Sequence, residues 1–265
     1  MPPFTALHRG GEGPPLLCLH GFADTWRTWE LVLPRLEQRH EVLAPTLPGH
    51  AGGPPLPGAL TESVLADAVE HAMDAAGFET AHIAANSLGG FVALQLAERG
   101  RARSVVAFAP AGGWMPGDPL VEETLAEQAA MLDLVRSGAP YVEGLIADPF
   151  VRRRATQGIT VRFEHIPPEL VAHLVLGVAV ARGARRLLDL ARTASWALDP
   201  ERIDCPVRIV WGGEDGALPW PAAAARFRAE LPQADWILLD GVGHCPQLDV
   251  PLETAELILG LTGAV

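Results

Sequence analysis

The sequence predicts an α/β fold: a mostly parallel sheet of seven or eight strands, flanked by helices and interrupted by an inserted helical segment. Three observations carry this prediction. Short aliphatic runs alternate with helical patterns through the first third of the chain, at the interval that crossover connections between parallel strands require. Residues 112–199 then show helical patterns and no convincing strand, after which the alternation resumes. The 265 residues suit one large domain with an insertion, and 49% hydrophobic against 20% charged residues supply a real core and argue against disorder.

The elements follow in order. Leu16–Leu19 is a short apolar run ending in His20-Gly21, a buried strand feeding a turn. Trp29, Val32, Leu33 and Leu36 fall at helical spacing within Thr28–Glu37. Glu41–Ala44 is a second strand, closed by a loop over 45–58 dense in Pro and Gly. A helix starts at Thr61 and runs to about Ala76, where Gly77 ends it. Ala81–Asn86 reads as a strand, Leu88–Glu98 as a helix and Ser104–Phe108 as a strand. Leu120–Val135, Tyr141–Ala147 and Glu169–Ala194 carry the helical patterns of the insertion. Val207–Trp211, a helix over Pro221–Leu231, Trp236–Leu239 and a last helix over Pro251–Leu261 complete the chain.

The chain thus divides into a first α/β part (1–111), a helical cap (112–199) and a second α/β part (200–265). The insertion holds 9 Arg and 11 Asp/Glu, a net −2, whereas the rest holds 11 and 21, a net −10. A near-neutral helical insertion between two pieces of an acidic core is expected to act as a lid over a site.

The net charge of −12 comes from 20 basic and 32 acidic residues, and every basic residue is arginine. This balance argues against nucleic acid and against an anionic membrane surface as partners. Cys18, Cys205 and Cys245, odd in number and widely spaced, suggest neither a disulfide framework nor a zinc knuckle. The N-terminus lacks a basic segment followed by an apolar stretch, and no uncharged apolar run reaches the ~18 residues of a membrane span. A cytoplasmic location is expected.

The chemistry centres on Ala85-Asn86-Ser87-Leu88-Gly89 between a predicted strand and helix. A nucleophile on so sharp a turn needs small residues two positions either side, and Ala85 and Gly89 supply them. The turn would lift the Ser87 hydroxyl above the sheet and aim helix N-terminal amides at developing negative charge. His20-Gly21-Phe22 ends an earlier strand, so the Phe22 and Leu88 N–H groups are the natural pair to hold an oxyanion. Trp211-Gly212-Gly213-Glu214-Asp215 follows a later strand, where a carboxylate can orient an imidazole; Asp215 suits this better than Glu214, which is expected to face solvent. Gly241-Val242-Gly243-His244 follows the last strand, and its glycines let a loop carry His244 over the sheet. Of the other histidines, His20 is expected to brace its loop and His50 to bond locally in its turn.

Ser87, Asp215 and His244 occur in that order, each at the exit of a separate predicted strand. Through HGF, PGHAGG, ANSLGG, WGGED and GVGHCPQLD, the chain resembles the α/β-hydrolase superfamily over residues 4–262, specifically its serine-nucleophile members with a helical cap. The resemblance implies Ser87 as nucleophile, His244 as base, Asp215 as its orienting acid and the Phe22 and Leu88 amides as oxyanion hole. Three departures stand out: Ala85 replaces the first glycine of G-x-S-x-G, Thr46 stands where many relatives have Asp, and the short N-terminus leaves little room for the usual first hairpin.

Serine at the turn argues against epoxide hydrolases and haloalkane dehalogenases, which form an ester on a carboxylate nucleophile. The expected reaction is hydrolysis of a small or medium, largely apolar carboxylic ester through an acyl-enzyme, with no cofactor and no metal. Trp114 is a candidate for the substrate pocket, or equally for core packing beneath the cap. A carbon–carbon bond hydrolase of the vinylogous-diketone type would use the same residues, although Cys245 stands where those enzymes often carry Trp. A non-catalytic small-molecule receptor is the reading from a different class. The run Arg152-Arg153-Arg154 could meet an acidic substrate or an acyl carrier, or simply form a solvated helix face.

Overall fold

The computed structural model describes residues 3–115 and 117–264. One seven-stranded sheet runs in the order β1-β3-β2-β4-β5-β6-β7. The strands are β1 (Leu7–Gly10), β2 (Pro15–Leu19), β3 (Glu41–Pro45), β4 (Ala81–Asn86), β5 (Ala102–Phe108), β6 (Val207–Gly212) and β7 (Asp235–Leu239). All neighbouring pairs are parallel except β1, which lies antiparallel on β3 with Leu7 opposite Pro45. The N-terminus therefore contributes one edge strand.

The helices are α1 (Leu33–Leu36), α2 (Val64–Ala76), α3 (Leu88–Glu98), α4 (Leu120–Gly138), α5 (Val142–Leu145) and α6 (Pro149–Thr156). They continue with α7 (Pro168–Val180), α8 (Ala184–Thr193), α9 (Ala225–Glu230), α10 (Pro246–Asp249) and α11 (Pro251–Thr262). The two-residue period of the strands sorts their side chains onto two faces. Leu17, Leu19, Ile83, Ala85, Val105, Ala107, Ile209 and Trp211 pack in one core with α2 and α3. Leu16, Cys18, Ala84, Val106, Phe108 and Val210 pack in another with Trp29, Leu33 and Ile258. Both faces of the central strands are buried, which is why they read as unbroken apolar runs. Burial of each such Leu, Ile or Val contributes roughly 1.5–3 kcal/mol.

The helix expected over Thr28–Glu37 is in fact a 3-10 turn at Trp26–Trp29 followed by the short α1. Pro34 is the reason: it lacks an N–H and its ring blocks a preceding turn, so a helix can only begin there. At the other end of the next helix Gly77 does what the sequence suggests, closing α2 in the left-handed region at φ +80°.

Among the described residues five α-helices, α4–α8, lie between β5 and β6. The single helix expected over Glu169–Ala194 is two, broken at residues 181–183. There Gly183 lies so close to Gly49 that an added Cβ would stand 2.5 Å from the Gly49 Cα. Leu125, Leu132 and Leu188 of this segment pack against Ala23. Ile146, Phe163 and Leu170 pack against Cys245 and Leu248. The inserted helices thus sit on the loops that leave β2 and β7. No helix among the described residues is long and apolar enough to cross a membrane.

Candidate active site

Ser87 joins β4 directly to α3 at φ +55°, ψ −121°, a conformation that costs an L-residue about 1–3 kcal/mol. The surrounding backbone enforces it. The Ser87 N–H donates to the Phe108 carbonyl at 2.9 Å, and the Ser87 carbonyl accepts from Ala111 N–H at 3.0 Å. Gly89 is needed because a Cβ there would meet the His20 carbonyl oxygen at 2.5 Å and that of Leu19 at 2.7 Å. That close approach presses the start of α3 against the end of β2. Gly21 then lies beside Ser87, since its own added Cβ would be 3.2 Å from the Ser87 Cβ. Among the described residues three other non-glycine positions have positive φ: Ala23, Ala109 and Trp196. Ala23 and Trp196 line the cavities around Ser87, so the strain gathers at one place.

His20 is buried and braces its loop. Leu47 N–H donates to its Nε2 at 2.9 Å, which leaves the proton on Nδ1, 2.7 Å from the Gly21 carbonyl. Burial, helped by His50 nearby, holds its pKa well below the usual imidazole value. The Phe22 and Leu88 N–H groups, flanking Ser87, have no acceptor among the described residues.

His244 is buried at the exit of β7, with Nδ1 2.7 Å from Asp215 Oδ2. The other Asp215 oxygen accepts from Ala217 and Leu218 N–H at 2.9 and 2.7 Å. This pairing places the imidazole proton on Nδ1 and leaves Nε2 free to accept one. Glu214 faces solvent. The path of the chain at His244 is held by Asn86, whose Nδ2 donates to the His244 carbonyl at 2.9 Å and to that of Phe108 at 3.1 Å. Gln247 Nε2 in turn donates to Asn86 Oδ1 at 3.2 Å and to Thr28 Oγ1 at 3.1 Å. Asn86 and Gln247 lie inside the ANSLGG and GVGHCPQLD motifs and Thr28 in neither, but only the position of Asn86 beside Ser87 hinted at this role.

Two chambers meet at Ser87 and His244, which line both. The first, of about 100 Å³, is walled by Phe22, Leu88, Phe91, Trp114, Leu187 and Trp196 among others. Trp114 is only 5% exposed and meets Trp196 edge to face at 5.1 Å, and Trp196 meets Phe91 at 4.9 Å. Trp114 is therefore both core and wall. Trp196 was not legible in the sequence, having no motif and an irregular backbone. The second chamber, of about 290 Å³, is more polar and runs past Asp24, Glu127, Gln128, Thr156 and Gln157. Burial pushes the Asp24 carboxyl up to about 6, against the opposing pull of the Thr25 amide and the Thr28 hydroxyl.

None of the 20 arginines lines either chamber among the described residues. Arg152 bonds the Ile146 and Ala147 carbonyls, Arg153 the Val161 carbonyl and Arg154 the Gln157 side chain, so this run serves its own helix ends. No group of three or more His, Cys, Asp or Glu placed to hold a metal occurs among the described residues.

A strand–turn–helix serine, a carboxylate-held histidine and a cap-like helical insertion on a parallel sheet define a hydrolase of the α/β type. The family model "Alpha/beta hydrolase family" matches residues 16–257, and the chain belongs to that family. It is 33% identical over 200 residues to "Epoxide hydrolase EphH" of Mycobacterium tuberculosis, covering 75% of this chain and 94% of that one. It is 27% identical over 272 residues to the 2-hydroxymuconate semialdehyde hydrolase of Pseudomonas sp. strain CF600, covering 96% and 88%. In fold it resembles the meta-cleavage product hydrolase CumD of Pseudomonas fluorescens IP01, with a TM-score of 0.71, 20% identity and 97% and 93% coverage.

Proposed function

We propose that the protein is a serine hydrolase that cleaves an uncharged, largely apolar carboxylic ester of small to medium size, with residues 112–199 as its cap. The observation that carries this reading is Ser87, strained at φ +55° between two chambers and sharing both with an imidazole whose Nδ1 is held by Asp215. In this mechanism Ser87 Oγ attacks the ester carbonyl carbon while its proton passes to His244 Nε2. The Phe22 and Leu88 N–H groups stabilise the oxyanion, and Asp215 stabilises the imidazolium. Collapse expels the alcohol, which takes the proton from His244, and leaves an acyl group on Ser87. Water then gives a proton to His244 and its hydroxide to the acyl carbon; the same collapse returns the proton to Ser87 and frees the acid.

The chamber chemistry favours a neutral ester. A carboxylate entering the wide chamber would meet Asp24 and Glu127 and no arginine among the described residues. This also weighs against the carbon–carbon reading, supported by the hydroxymuconate semialdehyde hydrolase relative and by Asn86 beside Ser87, because a dienoate substrate carries a carboxylate that needs a counter-charge. Epoxide opening, the reaction named for the other relative, suits these residues less. That reaction forms an ester on a carboxylate nucleophile, and the strand–helix turn of this chain carries Ser87 instead. A pure receptor on the same fold would instead show a ligand-induced rise in melting temperature without turnover.

The test is turnover of p-nitrophenyl esters from acetate to decanoate, beside one dicarboxylic acid presented as its neutral diester and as its anionic monoester. The expected result is a burst with steady turnover and preference for the neutral diester. No turnover above the Ser87→Ala variant would overturn ester hydrolysis.

A further inference from the structure

Asp249 is a buried carboxylate, 2% exposed, at the end of α10. It accepts from three main-chain amides: Gly243 at 2.6 Å, Arg162 at 2.5 Å and Val161 at 2.9 Å to both oxygens. Gly243 immediately precedes His244, whereas Val161 and Arg162 belong to the linker between α6 and α7 of the inserted segment. One side chain thus grips two pieces of chain about 80 residues apart in sequence.

The same two pieces are joined elsewhere. Cys245 N–H donates to the Ile159 carbonyl at 2.8 Å, and His165 Nε2 donates to the Leu248 carbonyl at 2.7 Å. Gly243 has no room for a side chain, because its Cβ would meet the Ile159 carbonyl oxygen at 2.9 Å and the Thr160 Cα at 3.1 Å. The preceding stretch of that linker, Thr156–Ile159, is wall of the wide chamber. A continuous path therefore leads from the chamber wall through the linker and Asp249 to the residue before His244.

We infer that Asp249 is a positioning residue: it seats His244 by holding Gly243, and by holding Val161 and Arg162 it ties that seating to the position of the cap wall. The inference rests on the reading of His244 as the catalytic base. An ester filling the wide chamber presses on Thr156–Ile159 and so settles the base as it binds. An amide side chain cannot do this, since one of its two ends is a donor facing donors. Asp215, Asp24, Cys245, His165 and the Arg162 guanidinium, which lies beside Gly241, are the other ionisable groups around this loop, and a substitution at 249 leaves all of them in place.

The test is Asp249→Asn, read by kcat and KM of ester hydrolysis and by the melting temperature. The expected result is a fall in kcat of about tenfold or more with little change in KM, a split that a merely structural clamp would not give. A lower melting temperature with wild-type kcat would make Asp249 a structural clamp only and overturn the inference. If the variant does not fold, amide hydrogen exchange of the wild type before and after phosphonylation of Ser87 decides. Protection should change together at 159–162 and 243–245, and a change confined to one segment overturns the coupling. A wild type that turns over no ester removes the base reading itself, an outcome distinct from an active enzyme indifferent to Asp249→Asn.

Discussion

Asp215 holds His244 at 2.7 Å through one oxygen while its other oxygen is fixed by the Ala217 and Leu218 amides. The carboxylate cannot swing, so the imidazole it carries has one orientation and one tautomer. Asp215→Asn offers an amide in the same space and disturbs that tautomer. By analogy with the same change in other Ser-His-Asp enzymes, kcat is expected to fall by about 10⁴ with the fold intact. Ester kinetics with a matched circular dichroism spectrum check this; a loss below tenfold would contradict the role.

The close approach at Gly89 ties fold to site. Gly89→Ala puts a methyl group 2.5 Å from the His20 carbonyl oxygen, and the neighbour that must shift is backbone of the loop carrying Phe22. A loss of about 1–3 kcal/mol is expected, and kcat should fall further than KM rises because the oxyanion donors move. Denaturant melts and steady-state kinetics measure both.

Trp114 and Trp196 set the depth of the apolar chamber. Trp114→Ala should cost roughly 3–5 kcal/mol, as for a large buried aromatic, and should move the best acyl chain to a longer one. The ester series gives the second result directly; an unchanged optimum would place the acyl chain elsewhere.

Much of this layout is legible in the sequence, and the misses have physical causes. β4 and α3 fall where expected because small residues flank a serine at the switch from a two-residue to a helical period. β1 was not legible, since Leu7–Gly10 is an edge strand with alternating exposure and no apolar run. The break before α8 comes from the Gly49–Gly183 approach, a contact between distant segments. For the same reason Trp196, Asn86 and Asp249 acquire their roles only when the chain is folded. Ser87, Asp215 and His244 do fall after β4, β6 and β7, where apolar runs giving way to small residues and glycine mark the strand exits in the sequence.

Buried histidines make the protein acid-sensitive. Burial lowers the pKa of His50 to about 4 and that of His20 well below its usual value. In the unfolded chain both take up protons near pH 6.5, so the unfolded state binds more protons between there and about pH 4. Stability is full above about pH 6.5 and drops as pH falls, by about 1.4 kcal/mol per pH unit for each fully buried histidine. The melting temperature should drop clearly between pH 7 and pH 5. A flat profile in the Asp24→Asn variant, which lacks the opposing carboxyl, would mean that these rings are protonated in the folded state.

Asp24 works in the opposite sense. Its folded pKa of about 6 lies above the unfolded value of 3.8, so the folded state binds the extra proton between the two and loses stability as pH rises through that window. Above pH 6 Asp24→Asn should be more stable than the wild type, by roughly 1–3 kcal/mol. It should also accept the anionic monoester more readily relative to the neutral diester. A variant that gains stability but keeps the wild-type preference would separate Asp24 from substrate choice.

The central claim, that Ser87 forms the covalent intermediate, is tested most directly by intact-mass and peptide mass spectrometry after treatment with a fluorophosphonate. One phosphonyl group per chain on the peptide carrying Ser87, absent from Ser87→Ala and much slower in His244→Ala, is the predicted result. Labelling at another residue, or none in a folded wild type, would contradict it.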